Sequence, residues 1–235
     1  MITVLAATAV LLTPQTVPIS DMYQKEFRDA SFTLKVAKAN QKELAKISSD
    51  FGASYRFSTT EVRVKEPFKL RITANVEDTS VLFVVNGVRR LVSIPKARLN
   101  QKENLAEDPG KRQTLFDFGL LTPALFEDLF VGNFVRKDRA TGDLVYDITY
   151  NPRLKHRSHF RIWVDPAKKY ITKKEWYRRD RQLATFFYSE PKQVDGVWFP
   201  TKMSVKNVED KFAGETQIQN LKVNTGLSEE LFKIS

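Results

Sequence analysis

Alternation of apolar and polar side chains dominates the second half of the sequence. In residues 144–150, for example, Leu144, Tyr146 and Ile148 fall on one side of a two-residue repeat, which is typical of a strand buried on one face. Such segments occur at residues 133–138, 144–150, 158–164, 170–178, 182–190, 197–206 and 215–223. Short turns separate them, and links this short predict antiparallel neighbours because a parallel crossover needs about a dozen residues.

The first half predicts a less regular meander. Strands are expected at residues 31–36, 54–65, 68–74, 81–85 and 88–94, and Asn86-Gly87 predicts a hairpin turn because both residues tolerate positive φ. Residues 20–27 predict a short helix beginning at Ser20 or Asp21. Residues 37–48 fit either a polar hairpin connection or a helical turn, and residues 228–232 predict a capped helical turn.

The alternation also assigns faces to the strands. Four later strands place the following side chains together on the predicted inner face: Leu144, Tyr146, Ile148 and Tyr150; Phe160, Ile162 and Val164; Leu183, Thr185 and Phe187; Val197, Phe199, Met203 and Val205. Basic residues occupy much of the other face. One broad, curved, antiparallel sheet with an apolar inner face accounts for this pattern without a second sheet. The predicted class is therefore mainly β with a few helices.

Two segments interrupt the strand pattern. Residues 95–114 are polar and contain Pro109-Gly110, so they predict an exposed, mobile loop. In the very apolar residues 115–130, Thr122 as N-cap and Pro123 at the first helical position predict a helix. That helix is either a core element packed on the sheet or a plug over an apolar cavity, and the two interpretations are compatible.

One or two helices are the only predicted cover for about ten strands of inner face, so an apolar cavity is expected. Its candidate lining consists of apolar side chains on the inner face and the covering segment: Phe57, Leu70, Leu115, Phe116, Phe118, Leu125, Phe126, Leu129, Phe130, Tyr146, Ile148, Phe160, Ile162, Phe187, Phe199 and Met203.

Composition narrows the function classes. Hydrophobic residues make up 42% of the 235 residues, which excludes a disordered polyelectrolyte. The net charge of +10 is spread along the chain without a nucleic-acid-binding motif, so a solvated basic face is favoured over a nucleic-acid groove. An anionic membrane surface fits the charge equally well. The absence of cysteine excludes a disulfide, a thiol nucleophile and a lipid-anchored cysteine.

The N-terminus carries an apolar run, residues 2–12, that is too short to span a bilayer. It resembles a signal-peptide core, although the usual basic start is missing. Residues 1–20 are therefore a possible signal peptide, with a buried N-terminal strand or helical turn as the alternative. Residues 21–235 are expected to form one domain of an exported, soluble protein without a lipid anchor.

Catalytic chemistry finds little support. His156 and His159 would need a further ligand such as Asp147 or Asp165 to bind zinc, and no HExxH, nucleophile-elbow or phosphate-loop motif occurs. We expect no catalytic residues, no metal and no cofactor.

Four motifs carry a family resemblance: residues 163–166 (WVDP), 175–177 (EWY), 195–202 (DGVWFPTK) and 224–232 (NTGLSEELF). In order and spacing they resemble the C-terminal half of the LolA-type outer-membrane lipoprotein-sorting superfamily. The resemblance implies a half-open β-barrel with helices plugging its mouth. It also implies a barrel arginine that latches the helical lid, for which Arg56, Arg63, Arg71, Arg89 and Arg161 are candidates.

The resulting hypothesis is a non-enzymatic, monomeric periplasmic carrier. It would hold a lipid, or the acyl chains of a lipoprotein, for transport to the outer membrane, with an anionic membrane surface or envelope proteins as further partners and no nucleic acid. The alternative is an envelope interaction or stress-sensing module with the same fold. An unrecognised hydrolase is the third hypothesis.

Overall fold

A computed structural model describes residues 16–76 and 79–234 of the chain, so most of the possible signal peptide lies outside the described residues. Thirteen strands of this part form one antiparallel sheet. They are β1 (Asp29–Ala39), β2 (Thr59–Lys65), β3 (Lys69–Val76), β4 (Thr79–Asn86), β5 (Arg89–Ile94), β6 (Leu99–Asn104), β7 (Phe130–Lys137), β8 (Leu144–Tyr150), β9 (Ser158–Val164), β10 (Ile171–Arg178), β11 (Arg181–Val194), β12 (Val197–Asn207) and β13 (Phe212–Val223).

The helices among the described residues are short. Two are α-helices, α1 (Gln41–Ala45) and α2 (Ser49–Ser54). Single 3-10 turns lie at Ile19–Met22, Pro95–Ala97, Pro109–Lys111, Leu115–Phe118, Pro152–Leu154 and Glu229–Phe232, and Leu125–Leu129 is π-helical. The sheet therefore supplies nearly all of the regular backbone hydrogen bonding.

The strand order is β6-β5-β4-β3-β2-β1-β13-β12-β11-β10-β9-β8-β7, with β6 and β7 as the unpaired edges of an unclosed sheet. Pairing of β1 with β13 joins the two meanders, from Ala30 opposite Val223 to Ala39 opposite Gly214. The predicted single curved antiparallel sheet is confirmed, and the bounds predicted for β8 and β9 match those in the structure.

The first half of the chain departs from prediction at its helices. The strand expected from residue 54 begins only at Thr59, because the preceding residues form α2. Of the two alternatives for residues 37–48, the helical one is right, since the side chains of Asn40 and Ser48 accept hydrogen bonds from the first turns of α1 and α2. The helix expected over residues 20–27 ends at Met22, beyond which the Gln24 N–H donates to the Leu121 carbonyl.

The prediction of a mobile loop over residues 95–114 is also wrong in part. This segment contains β6, which pairs along its length with β5. Its side chains are mostly exposed on both faces. The sequence of this edge strand therefore lacks the alternation of apolar and polar residues that would predict a strand. The hairpin before β5 is confirmed but shifted by one residue. Asn86 pairs with Arg89, and Gly87 (φ +62°) and Val88 form the loop.

The face assignment of β11 is wrong by one residue. Ala184, Phe186 and Tyr188 are buried in the core, whereas Phe187 is half-buried with the Lys206 ammonium 5.8 Å from its ring centroid. Apolar residues occur at successive positions of this strand, so alternation alone does not decide which ones face inward.

The buried side chains form two apolar clusters. One lies against β7–β10 and includes Tyr146, Ile148 and Ile162. The other lies against β1–β4 and β12 and includes Phe32 and Phe199. Residues 115–129 contribute to both clusters, so this segment joins the two halves of the interior.

Asp29, at the start of β1, holds the C-terminal segment against the sheet. Its buried carboxylate accepts hydrogen bonds from the backbone N–H groups of Thr225 (2.9 Å), Gly226 (3.0 Å) and Leu227 (3.2 Å). The segment continues into the final 3-10 turn, where the Ser228 hydroxyl caps the helix as predicted and Phe232 is fully buried.

We expect Asp29→Asn to lower the free energy of unfolding by about 2–3 kcal/mol, because the new amide turns an N–H group toward backbone donors and the charge-assisted bonds are removed. Urea denaturation followed by circular dichroism measures this change. Asp210→Asn is the control, since its exposed ion pair with Lys206 should contribute at most about 1 kcal/mol. Equal unfolding free energies for the two variants would contradict the role assigned to Asp29.

Candidate functional site

Residues 115–129, which we call the cover, lie over the apolar inner face of the sheet. The cover begins with the 3-10 turn Leu115–Phe118, where Thr114 and Asp117 form a capping box. Gly119 (φ +83°) ends this turn. A Cβ atom at Gly119 would lie 2.8 Å from the Tyr188 ring, so both the backbone conformation and the space require glycine here.

The second part of the cover is the helix that begins at Pro123, as predicted. Thr122 does not act as its side-chain N-cap. Its hydroxyl instead donates a hydrogen bond to the Glu66 carboxyl at 2.7 Å, so this residue attaches the cover to the connection between β2 and β3.

Backbone hydrogen bonds anchor the middle of the cover. Leu120 forms an isolated antiparallel bridge with Tyr170, and the Ile171 N–H donates to the Gly119 carbonyl at 2.8 Å. On the other side, the Gln24 N–H donates to the Leu121 carbonyl at 2.8 Å. The 3-10 turn and the helix of the cover therefore lie on either side of residues 119–121, which these backbone hydrogen bonds hold in place.

The structure brings most of the predicted lining residues together under the cover. Those buried in the two clusters are Leu70, Leu115, Phe116, Leu125, Leu129, Phe130, Tyr146, Ile148, Phe160, Ile162 and Phe199. Phe118, Phe126 and Met203 are half-buried against them. Phe57 and Phe187 lie outside both clusters. The prediction omitted Leu120, Leu121, Phe186 and Tyr188, which are buried there.

The chain's own side chains fill the space under the cover in this conformation. Leu121, Leu125 and Leu129 are fully buried, and the Phe116 ring packs 5.0 Å from Phe130 and 5.1 Å from Phe160, centroid to centroid. A small cavity of about 10 Å³ lies beside Glu66 and Thr114, room for about one water molecule. The apolar site is therefore closed.

Lys174 is a buried cation beneath the cover. Its ammonium lies 4.7 Å from the ring centroid of Phe116, 4.9 Å from Phe186 and 5.8 Å from both Phe160 and Tyr188. It donates long hydrogen bonds to the Phe116 carbonyl (3.4 Å) and the Asp117 carboxylate (3.5 Å). Burial lowers the pKa of Lys174, and Asp117 opposes that shift. Lys173 and Lys174 are adjacent in β10, and nothing in the sequence indicates that Lys174 faces inward.

Further charged groups hold the edges of the cover. Burial raises the pKa of the Glu66 carboxyl. The Arg112 guanidinium lies 3.9 Å from the Phe68 ring centroid and donates to Asp128 at 2.9 Å. Arg153 donates to the same Asp128 carboxylate at 2.6 Å.

The five arginines considered as lid latches make no hydrogen bond or ion pair with the cover within the described residues. Arg71 donates to the Leu231 carbonyl, and Arg161 forms a bidentate pair with Asp147. Arg112, Arg153 and Lys174 are the cations that contact the cover instead. All three are visible as cations in the sequence, but only the folding of the chain brings them against the cover.

The two histidines serve as packing groups. The His156 ring lies 4.3 Å from that of Tyr150, and His159 stacks on Tyr177 at 4.9 Å. The proposed further ligands are engaged elsewhere, Asp147 with Arg161 and Asp165 with the turn that follows β9. Throughout residues 16–76 and 79–234, no group of three or more metal-binding side chains occurs.

Comparison with known proteins places the fold. An outer membrane lipoprotein-sorting protein domain from Vibrio parahaemolyticus superposes with a TM-score of 0.61 at 16% identity, covering 91% of this chain and 92% of that one. A LolA superfamily protein from Nitrosomonas europaea gives 0.60 at 12% identity, covering 92% and 94%. A DUF1329 family protein from Desulfovibrio piger gives 0.60 at 14% identity, covering 92% of each chain.

Sequence comparison adds less. A family profile described as an uncharacterised protein matches residues 124–235, and no curated protein gives a significant match. No helix in the described part of the chain is long and apolar enough to cross a membrane. The chain has the LolA-like fold of lipoprotein-sorting domains, an unclosed antiparallel sheet with short helices over its inner face.

We expect Lys174→Met to raise the free energy of unfolding at pH 7 by about 1–4 kcal/mol, because methionine fills a similar volume without burying a charge. Since the native pKa of Lys174 is below its ordinary value of 10.5, the unfolded wild-type chain binds more protons between these two values. Wild-type stability therefore rises with pH across that interval, and the advantage of Lys174→Met should shrink toward pH 10.5.

Denaturation curves at pH 7 and pH 10 test this expectation. Lys173→Met is the matched control, because the Lys173 ammonium is paired with Glu175 at 2.7 Å and is not fully buried. The expectation would be contradicted if Lys174→Met had a lower free energy of unfolding than the wild type, by the same amount at both pH values. That result would show that the contacts of the Lys174 ammonium outweigh the cost of burying its charge.

Proposed function

We propose that this protein is a periplasmic carrier that holds the acyl chains of a lipid or lipoprotein between the cover and the sheet. The observation that carries the proposal is a large apolar inner face covered by short helical segments, chiefly the cover, rather than by further strands. The same fold occurs in a domain described as lipoprotein-sorting.

Loading requires the cover to move, since its leucines occupy the space. The interactions that must break are the Thr122–Glu66 hydrogen bond, the Asp128 pairs with Arg112 and Arg153, and the Lys174 bonds. An incoming acyl chain takes the place of Leu125 and Leu129 against the sheet. Burial of the acyl chain contributes about 0.8 kcal/mol per methylene, which offsets the exposure of these leucines when the cover opens.

Lys174 gains a role in the open form. When Phe116 and Asp117 move away, its ammonium is left among aromatic rings without hydrogen-bond acceptors. An ester carbonyl or anionic headgroup of the cargo would then satisfy it, so a single polar group would orient an otherwise apolar ligand.

The filled interior also supports a second candidate, a non-enzymatic envelope interaction module. The edge strand β7 exposes Val131 and Val135, and its free backbone groups could pair with a strand of another envelope protein. In this function the cover stays closed and the interior serves only stability.

We expect Asp128→Asn to accelerate lipid transfer, because it removes the charge that binds Arg112 and Arg153 at the edge of the cover. The measurement is transfer of a fluorescent phosphatidylcholine between donor and acceptor vesicles. A loss of about 1.4 kcal/mol from the closed state corresponds to a tenfold faster rate if opening limits transfer. Asp147→Asn, which breaks the Arg161 pair outside the cover, should leave the rate unchanged.

Native mass spectrometry of the purified full chain provides the second measurement. Lipid or acylated peptide bound at near one per chain would support the carrier. A ligand-free wild type, combined with no transfer by either wild type or Asp128→Asn, would contradict it and favour the interaction module.

A further inference from the structure

A group of exposed cations lies at one end of the sheet. Lys155 and Arg157 lie between β8 and β9, and Arg178, Arg179 and Arg181 lie at the β10–β11 hairpin. All five are exposed and line an open groove of about 1000 Å³.

The groove has a strong positive bias. The carboxylates in its lining belong to Asp108 and Asp180, and Asp108 is already paired with Lys111 at 3.0 Å. None of the five cations forms an ion pair with any other described residue. The like charges repel one another unless an anion is present, so the groove is suited to an anionic partner.

Backbone pairing holds these cations in place. Ser158 pairs with Arg178 across β9 and β10, and the Arg179 N–H donates to the Arg157 carbonyl at 3.1 Å. The two connections are therefore side by side at the end of a rigid sheet. Arginine side chains presented in this way can form bidentate hydrogen bonds with phosphate oxygens.

The next hairpin at the same end of the sheet exposes apolar side chains. Ala184 of β11 pairs with Asn207 at the end of β12. Val208 follows β12 and Phe212 begins β13, and the carboxylates between them, Glu209 and Asp210, are paired with Lys46 and Lys206. The Val208 and Phe212 side chains are 43% and 41% exposed. A basic surface beside exposed apolar residues is the combination that binds at a lipid headgroup layer.

We propose that this end of the sheet docks on a membrane surface that contains anionic phospholipids. The five cations bind headgroup phosphates, and Val208 and Phe212 enter the interfacial layer. A soluble phosphate compound would need the cations alone, and an acidic peptide would leave the exposed apolar pair unexplained. The combination therefore favours a bilayer surface.

The docking surface is connected to the cover. His156 lies in the groove wall, and its ring packs on Tyr150, whose own ring lies 4.9 Å from Phe130 beneath the cover. Arg153, in the same connection as Lys155, binds Asp128 of the cover. Docking does not depend on the carrier proposal, but a carrier docked in this way would present its cover beside the bilayer.

Co-sedimentation of the full chain with vesicles tests the docking surface without requiring lipid uptake. We expect binding to vesicles containing phosphatidylglycerol, weak binding to pure phosphatidylcholine, and loss of binding as salt rises. The triple variant Arg157→Gln, Arg179→Gln, Arg181→Gln should bind about 100-fold more weakly, from about 1 kcal/mol per cation. Val208→Ser with Phe212→Ser should weaken binding by about threefold or more, because less apolar area enters the interfacial layer.

The matched control removes the same charge at the opposite end of the sheet, with Lys25→Gln, Lys192→Gln and Lys222→Gln. It should retain binding within about threefold, because a general loss of positive charge acts weakly beyond the Debye length. Equal losses in the two triple variants would overturn the proposed surface. Wild-type binding to inorganic pyrophosphate without binding to anionic vesicles would also overturn it, in favour of a soluble anion. Failure of lipid transfer with intact vesicle binding would contradict the carrier alone.

Discussion

The pairing of β1 with β13 is the constraint on which the rest of the structure depends. It joins two meanders into one sheet, so that β6 and β7, which follow each other in the chain, become opposite edges of that sheet. Their connection must then pass from one edge to the other across the inner face. Its apolar residues are buried on the way, and the cover is thus a consequence of topology as much as of helix propensity.

A cover formed in this way is a continuous part of the chain, held by backbone hydrogen bonds at its centre and at Leu129, where the Asn151 N–H donates to the carbonyl. Backbone hydrogen bonds through Gly119 and Leu121 hold the centre. Side-chain interactions of Glu66, Arg112 and Lys174 add further attachments, and each places an ionisable group where burial of its charge is unfavourable. Such interactions contribute less net stability than apolar packing would. In the proposed carrier, these are the interactions that would break as the cover separates from the sheet while the sheet remains folded.

The likeness to lipoprotein-sorting domains at 12–16% identity is a likeness of architecture. Strand alternation and turn residues are enough to specify an unclosed sheet, and many sequences satisfy them. The positive charge of this chain, +10 in all, is concentrated in one place, because folding brings exposed cations from separate connections into one groove. Function in this fold therefore depends on which groups the cover and the rim of the sheet present.

The sequence by itself determined the class of fold, the antiparallel order of the second half and most of the residues under the cover. Alternation and turn chemistry are local, and in β8 and β9 the residues assigned to the inner face, such as Tyr146, Ile148 and Ile162, are buried as their spacing predicts. Only the tertiary structure decided the inner face of β11, the edge strand β6, the inward orientation of Lys174 and the grouping of the basic residues. In β11 successive residues are apolar, and β6 is polar on both faces. Neither strand therefore shows the alternation of apolar and polar residues that would identify its inner face. Lys174 and the groove depend on strand register between segments distant in the chain, which no local period specifies.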